Sequence, residues 1–324
     1  MKKMYKIIMM LLVILTLVSC TSNEEKYELD IFKIKEINLG NEADSVVING
    51  ETINNSLDFY ELYSKIDQFT FYKKNKLISY NADMLIEGDS KSFINMNISC
   101  DEFSELVEFR TKEEDSNDVS NIEEYSFYNA DTKERKQFAR YLYKEEKAFG
   151  GLEFISGKNT IYSSKKFPMM PDMNTELADM QIRSTNFRSI LLTSNSLFKK
   201  IESFESNGIT YSYEEYIQSK YTIYENYIVF EQVTPFFGLT NVGSDPYINY
   251  IRCINSGLST KIVAYYDINL NEIVSVKING NHHQTMLNKV IDLNVELFVY
   301  DLDKTIYDSK VKSLIDYVKD NSNK

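Results

Sequence analysis

The chain has 324 residues, with 36 Lys and Arg against 48 Asp and Glu, a formal charge of −12 that argues against a nucleic-acid partner. Hydrophobic residues at 43% and aromatic residues at 13% suffice for a sizeable core and exclude wholesale disorder. Only 4 Pro and 11 Gly, no Trp and 24 Tyr suit strands joined by polar turns better than a linker-rich array.

Lys2, Lys3 and Lys6 precede an uncharged run from Ile7 to Val18. That run is too short to span a bilayer comfortably and has the form of a secretory signal peptide. It ends Leu17-Val18-Ser19-Cys20, which resembles the lipobox of bacterial lipoproteins. The resemblance implies cleavage before Cys20, a diacylglyceryl thioether on its sulfur and acylation of its new amino group. Two or three acyl chains hold a protein durably on a membrane at about 0.8 kcal/mol per buried CH₂. Residues 1–19 are therefore expected to be removed. Residues 20–29, with Thr21, Ser22, Asn23, Glu24 and Glu25, form a polar lipidated tether, and the membrane through Cys20 is the expected partner. Loss of three Lys leaves the mature chain at −15, repelled by anionic bilayers. Position 21 is not Asp, which by the same resemblance favours the outer membrane, with the periplasmic or surface face left open.

From residue 30 onward, apolar residues recur every second position and predict strands. Ile94, Met96 and Ile98 alternate with Asn95 and Asn97. Ile223, Tyr227 and Val229 form one set against Tyr224, Asn226 and Ile228. Ile291, Leu293, Val295, Leu297 and Val299 give the cleanest strand. Turns are expected at 73–76, 87–90, 129–132, 156–159, 255–257 and 279–281, and a solvated acidic loop at 111–120. Helical spacing predicts three helices: Ser56 to Asp67 with Asn55 or Ser56 as N-cap, one within Ser184 to Phe204, and a last one capped by Asp308 with Val311, Leu314, Ile315 and Val318 on one stripe. The expected fold class is α+β: one large curved antiparallel sheet, unclosed and barrel-like, with a few helices on one face. Residues 30–324 form this single domain, with a candidate internal boundary near 165–175.

Motifs for chemistry are absent, so no enzyme and no cofactor are expected. His282 and His283 adjoin the 279–281 segment and, as strand neighbours, point to opposite faces, a poor arrangement for chelating one ion. No G-x-S-x-G is present. Gly151 to Lys158 lacks phosphate-loop spacing, and Ser163 to Lys166 satisfies S-x-x-K without the accompanying motifs. Asp267, Asn269 and Asn271 begin like a calcium loop, but Glu272 and Ile278 replace the required Gly and Glu. Cys100 and Cys253 each end a strand, and buried thiols or one long-range disulfide both fit an exported protein.

Apolar connections remain. Met169, Met170, Met173 and Met180 stand beside Phe167, Pro168 and Pro171, and Phe236 and Phe237 lie between Pro235 and Gly238. These residues are candidate ligand contacts, as the rim of a pocket for acyl chains, or else pack over the sheet. The order of signal peptide, early helix, alternating strands and apolar loops resembles the lipoprotein carriers and receptor of the Lol system and mycobacterial lipid-binding lipoproteins. That resemblance implies an unclosed barrel with an apolar cavity, and gives Phe236 or Phe237 the place of the receptor's protruding apolar residue. The function expected is a non-enzymatic envelope lipoprotein binding lipid or another apolar ligand. The alternative is a surface-displayed interaction or adhesion lipoprotein.

Overall fold

A computed structural model describes residues 36–66, 69, 73–86, 90–115, 119–143, 146–155, 158–163, 197–198, 203–206, 208–212, 216–235, 251, 253–284 and 289–322. In chain order the elements are β1 (Ser45–Ile48), β2 (Glu51–Asn54), α1 (Phe59–Lys65), β3 (Lys76–Ile86), β4 (Ser90–Cys100), β5 (Ser104–Asp115), β6 (Val119–Asn129), β7 (Arg135–Tyr143), β8 (Glu146–Ile155) and β9 (Lys158–Ser163). There follow β10 (Ser203–Ser206), β11 (Ile209–Ser212), β12 (Gln218–Ile223), β13 (Tyr227–Thr234), β14 (Thr260–Asp267), β15 (Glu272–Gln284), β16 (Lys289–Asp301) and α2 (Lys304–Ser322).

Twelve strands form one open antiparallel sheet in the order β12-β13-β14-β15-β16-β3-β4-β5-β6-β7-β8-β9. Every neighbour is also a sequence neighbour except at one place, where β16 pairs with β3 from Ile291↔Ile86 to Asp301↔Lys76. The β1–β2 and β10–β11 hairpins are separate two-stranded sheets.

Period two decides what each face carries. On one face, successive register partners run Phe230, Ala264, Val276, Leu297, Tyr80, Met96 and Phe109 from β13 to β5. These residues belong to the main core or pack against it, and α1 adds Phe59, Leu62, Tyr63 and Ile66. On the opposite face the partners run Ser275, Phe298, Ser79, Asn97, Glu108 and Tyr125. All six are buried. Here α2 docks by polar contacts: Lys310 to Glu108 at 2.9 Å, Tyr307 to Ser104 at 2.7 Å and Lys304 to Asp101 at 2.7 Å. The helix also touches β9. Among the described residues each face thus carries one helix rather than one face carrying both: aromatic α1 matches the apolar face, while the lysines of α2 match the carboxylates of the other.

Helix boundaries follow their caps. The Asp58 carboxylate accepts the N–H groups of Tyr60 and Glu61, so α1 starts later than a cap at Asn55 or Ser56 would place it. Asp303 accepts from Thr305 and Ile306, so α2 starts a turn before Asp308. The helix expected within Ser184 to Phe204 lies largely outside the described residues, and its last two positions, Ser203 and Phe204, are strand.

Three other sequence expectations change. The run from Ile223 to Val229 is two strands meeting at a tight turn, with Tyr224 N–H donating to the Tyr227 carbonyl at 2.8 Å. The turn resets the alternation, so Ile228 and Phe230 face the core and Val229 does not. Residues 279–281 are not a turn but lie inside β15, because Gly280 lets the Ser259–Thr260 backbone approach closely. The acidic stretch at 111–120 is mostly strand, with β5 running to Asp115 and β6 starting at Val119.

One end of the ladder is closed by an N-terminal strap. Asn41 N–H and side chain donate to the Glu225 carboxylate at 3.2 and 3.1 Å, Glu225 N–H donates to the Asn41 carbonyl at 2.9 Å, and Ala43 N–H donates to the Ile223 carbonyl at 3.0 Å. Gly40 passes directly under Glu225, at φ +76°, where a Cβ would meet the carboxylate. This is the strap end of the sheet. Thr234, where β13 ends, lies near the other, far end by register, whereas Ser163, where β9 ends, is level with Phe230 and Tyr80 in mid-sheet.

Candidate ligand-binding face

The apolar face is built round an aromatic cluster. Phe59 lies edge-on to Phe198 and Phe230, with ring centroids 5.2 and 5.6 Å apart, and Tyr63 does the same at 5.0 and 5.6 Å. Edge-to-face rings at such distances add about 0.5–1.5 kcal/mol per pair beyond area burial. The cluster joins three separate parts of the sequence: α1, β13 and the short piece Leu197–Phe198, both of whose residues are buried.

Polar groups are few and placed at the margin. Gln232 donates to the hydroxyls of Tyr60 and Ser219 at 3.0 and 3.1 Å. Tyr221 hydroxyl donates to the Leu57 carbonyl at 2.9 Å, tying the start of α1 to edge strand β12. Inside the cluster the Tyr63 hydroxyl is buried near the backbone of Leu197 and Phe69, without a well-formed hydrogen bond among the described residues. Burial pushes that phenol up to about 12, countered only weakly by the backbone of Leu197 and Phe69 nearby. Tyr80, further along the face, is likewise pushed up by burial. The face is thus a packed apolar core whose polar groups lie at its margin.

Several candidates from the sequence fall outside the described residues: Cys20, Met169, Met170, Met173, Met180, Phe236 and Phe237. What the fold does give is the points at which their segments leave the sheet. The chain leaves β13 at Thr234, near the far end, and β9 at Ser163, level with Phe230. Cys100 and Cys253 are both buried thiols, and no disulfide joins them. Cys100 closes β4 at the strap end, within the main core, whereas Cys253 sits in a small cluster with Tyr211, Ile217, Ile251 and Leu258 in the far-end connection. Opposite ends of the ladder are beyond disulfide reach. His282 and His283 lie within β15, paired with Ile291 and Val290. Asp267 and Asn271 belong to the β14–β15 turn, where Asp267 accepts from the N–H groups of Asn269 and Leu270 and Asn271 adopts φ +52°.

Sequence reasoning missed Phe230 and the joint role of Tyr63 and Phe198. Tyr63 and Phe198 fit helical stripes, but that spacing cannot show that they meet, and Phe230 was hidden by the reset alternation at 224–226.

No family model matches the chain. No curated protein matches it either. Among solved structures, a β-barrel-like protein of a domain of unknown function from Brucella abortus is similar over 71% of this chain and 100% of its own, with 10% identity and a TM-score of 0.27. At that score the likeness carries no inference about fold or function.

Proposed function

We propose that the protein is a bacterial envelope lipoprotein, acylated at Cys20 and held at the outer membrane, that binds lipid or another apolar ligand without enzymatic chemistry. The observation that carries the reading is the far end of the sheet. The connection bearing Phe236 and Phe237 departs there, after β13, while the one bearing Met169, Met170, Met173 and Met180 leaves β9, on the opposite edge of the sheet, level with Phe230 and as β9 runs toward that end. The apolar face leads toward the same end through Phe230 and Ile262. Flexible thioethers and phenyl rings suit acyl chains of variable shape. The lipid-carrier resemblance agrees with this arrangement.

Native mass spectrometry of residues 21–324, produced in the periplasm, tests the reading. Adducts of lipid mass are expected, and polar substitution of Met169, Met170, Phe236 and Phe237 should remove them. A bare protein mass, with no uptake of fluorescent fatty acid, would refute it. Acylation is tested separately: Cys20→Ser should move the protein from the membrane fraction to the soluble one.

The surface-interaction reading has one observation in its favour. The charged ladder on the α2 face places Glu231 between Lys220 and Lys261 and Lys277 beside Glu296, an ordered polar surface available to a partner. Protease shaving of intact cells separates the two readings, since only surface display predicts cleavage.

A further inference from the structure

Three exposed large apolar side chains stand at the strap end, each presented in the same way. Phe103 is 49% exposed, Leu270 56% and Ile306 48%. Phe103 N–H donates to Asp101 Oδ1 at 2.8 Å, Leu270 N–H to Asp267 Oδ1 at 3.1 Å and Ile306 N–H to Asp303 Oδ1 at 3.1 Å. Each tip is therefore held by a carboxylate two or three residues earlier, so little freedom remains to be lost on contact.

The three tips belong to one continuous surface. Ile268 N–H donates to the Asn226 carbonyl at 3.1 Å, linking the strap's turn to the Leu270 turn. Glu272 holds Lys73 and Lys76 at 2.9 and 2.6 Å, and Lys76 reaches Asp301 at 2.7 Å. Lys304 then bridges the first turn of α2 to Asp101 beneath Phe103. The described chain begins at Glu36, just before the strap that is bonded to this surface.

We propose that the strap end is a membrane-contacting surface, with Phe103, Leu270 and Ile306 dipping into the bilayer that the acyl anchor occupies. The proposal rests on acylation at Cys20, which would hold the protein at a bilayer and make a weak apolar contact effectively intramolecular. Charge selects the lipid. Glu102, Asp131 and Asp303 are exposed round the tips, with Lys74 and Lys133 as exposed counterweights. The Lys304 ammonium is held between Asp101 and Asp308 at 2.7 and 2.8 Å. Among the described residues the exposed acids round the tips offset the exposed lysines, so a zwitterionic phospholipid surface is the one it fits.

The natural chain has no Trp, so a single introduced Trp reports its own surroundings. The full acylated protein, carrying Phe103→Trp, Leu270→Trp or Ile306→Trp in turn, is reconstituted on phosphatidylcholine vesicles whose acyl chains are brominated. Leu85→Trp, at an exposed position near the far end of β3, is the control. Quenching at positions 103, 270 and 306 but not 85, weakened when phosphatidylglycerol is added, is the expected result. Quenching at 85 alone would reverse the orientation and overturn the proposal. If the protein floats with the vesicles and none of the four is quenched, anchoring stands and the membrane-contacting surface is refuted. If the protein does not float, the acylation reading fails and takes the proposal with it.

Discussion

Lys310 places its ammonium 2.9 Å from a carboxylate oxygen of Glu108, whose side chain is completely shielded from solvent beneath α2. Taking two charges out of water is costly, and the pair persists because each compensates the other. Lys310→Met leaves that carboxylate in a low-dielectric site without this cation, and a loss of about 3–5 kcal/mol is expected. Lys310→Met together with Glu108→Leu should recover much of the loss. A double-mutant cycle in urea is the measurement, and additive effects would show that the two side chains do not act as a unit.

At Gly280 the backbone itself sets the limit. A Cβ there would lie 2.2 Å from the Ser259 carbonyl oxygen and 2.6 Å from Thr260 Cα, at φ +147°. Gly280→Ala must push two strands apart, and a cost of about 3 kcal/mol or more is expected. Gly50→Ala has open space round it and only an unfavourable φ of +82°, so about 1–2 kcal/mol is expected. Comparing the two thermal midpoints tests the ordering.

Tyr63 and Phe230 should respond in opposite senses. Truncating Phe230 to Ala empties the aromatic cluster and is expected to cost about 3–5 kcal/mol. Tyr63→Phe removes a buried hydroxyl that has no well-formed hydrogen bond among the described residues, so stability should be unchanged or rise by about 1 kcal/mol. A clear loss of stability in Tyr63→Phe would reveal a hydrogen bond to that hydroxyl.

Acid should act through Asp101 and Glu231. Burial alone would raise both carboxyls. The Asp101 carboxyl is nonetheless lowered, by Lys304, the Ser104 hydroxyl and the N–H groups of Phe103 and Ser104. Glu231 is lowered likewise by Lys220 and Lys261. A carboxyl lowered in the folded state releases its proton more readily there than in the unfolded chain. Its contribution is therefore present above the unfolded value of about 4 and is lost as pH falls through the folded value. Unfolding free energy should decline below about pH 4, and Asp101→Asn should flatten that decline. Denaturant melts across the acid range provide the check, and an unchanged slope in the variant would remove Asp101 from the account.

The sheet was readable wherever alternation ran without a break. β16 has apolar residues at every second position from Ile291 to Val299, all facing inward in a central strand, and the sequence shows them directly. Legibility failed where one turn or one glycine decided the outcome. The turn at Tyr224-Glu225-Asn226 exchanges the faces of β13, while Asn279-Gly280-Asn281 has the composition of a turn but serves a close backbone approach. The side-by-side placement of Phe59, Phe198 and Phe230 had no local trace, because segments far apart in sequence meet only through the order of strands. The lysines of α2 gave no hint of their carboxylate partners for the same reason.

The single non-sequential pairing, β16 with β3, divides the sheet into two meanders. From β3 to β9 and from β12 to β16, every partner is the next strand in the chain, so each half can zip from local hairpins with modest loop-closure entropy. The long-range cost of the topology is concentrated in one seam, where residues 76–86 meet residues 291–301. A chain that emerges N-terminus first can thus assemble seven strands before the second meander has been delivered. During that interval β3 is an uncovered edge, and timely arrival of β16 is what keeps a second molecule from taking its place.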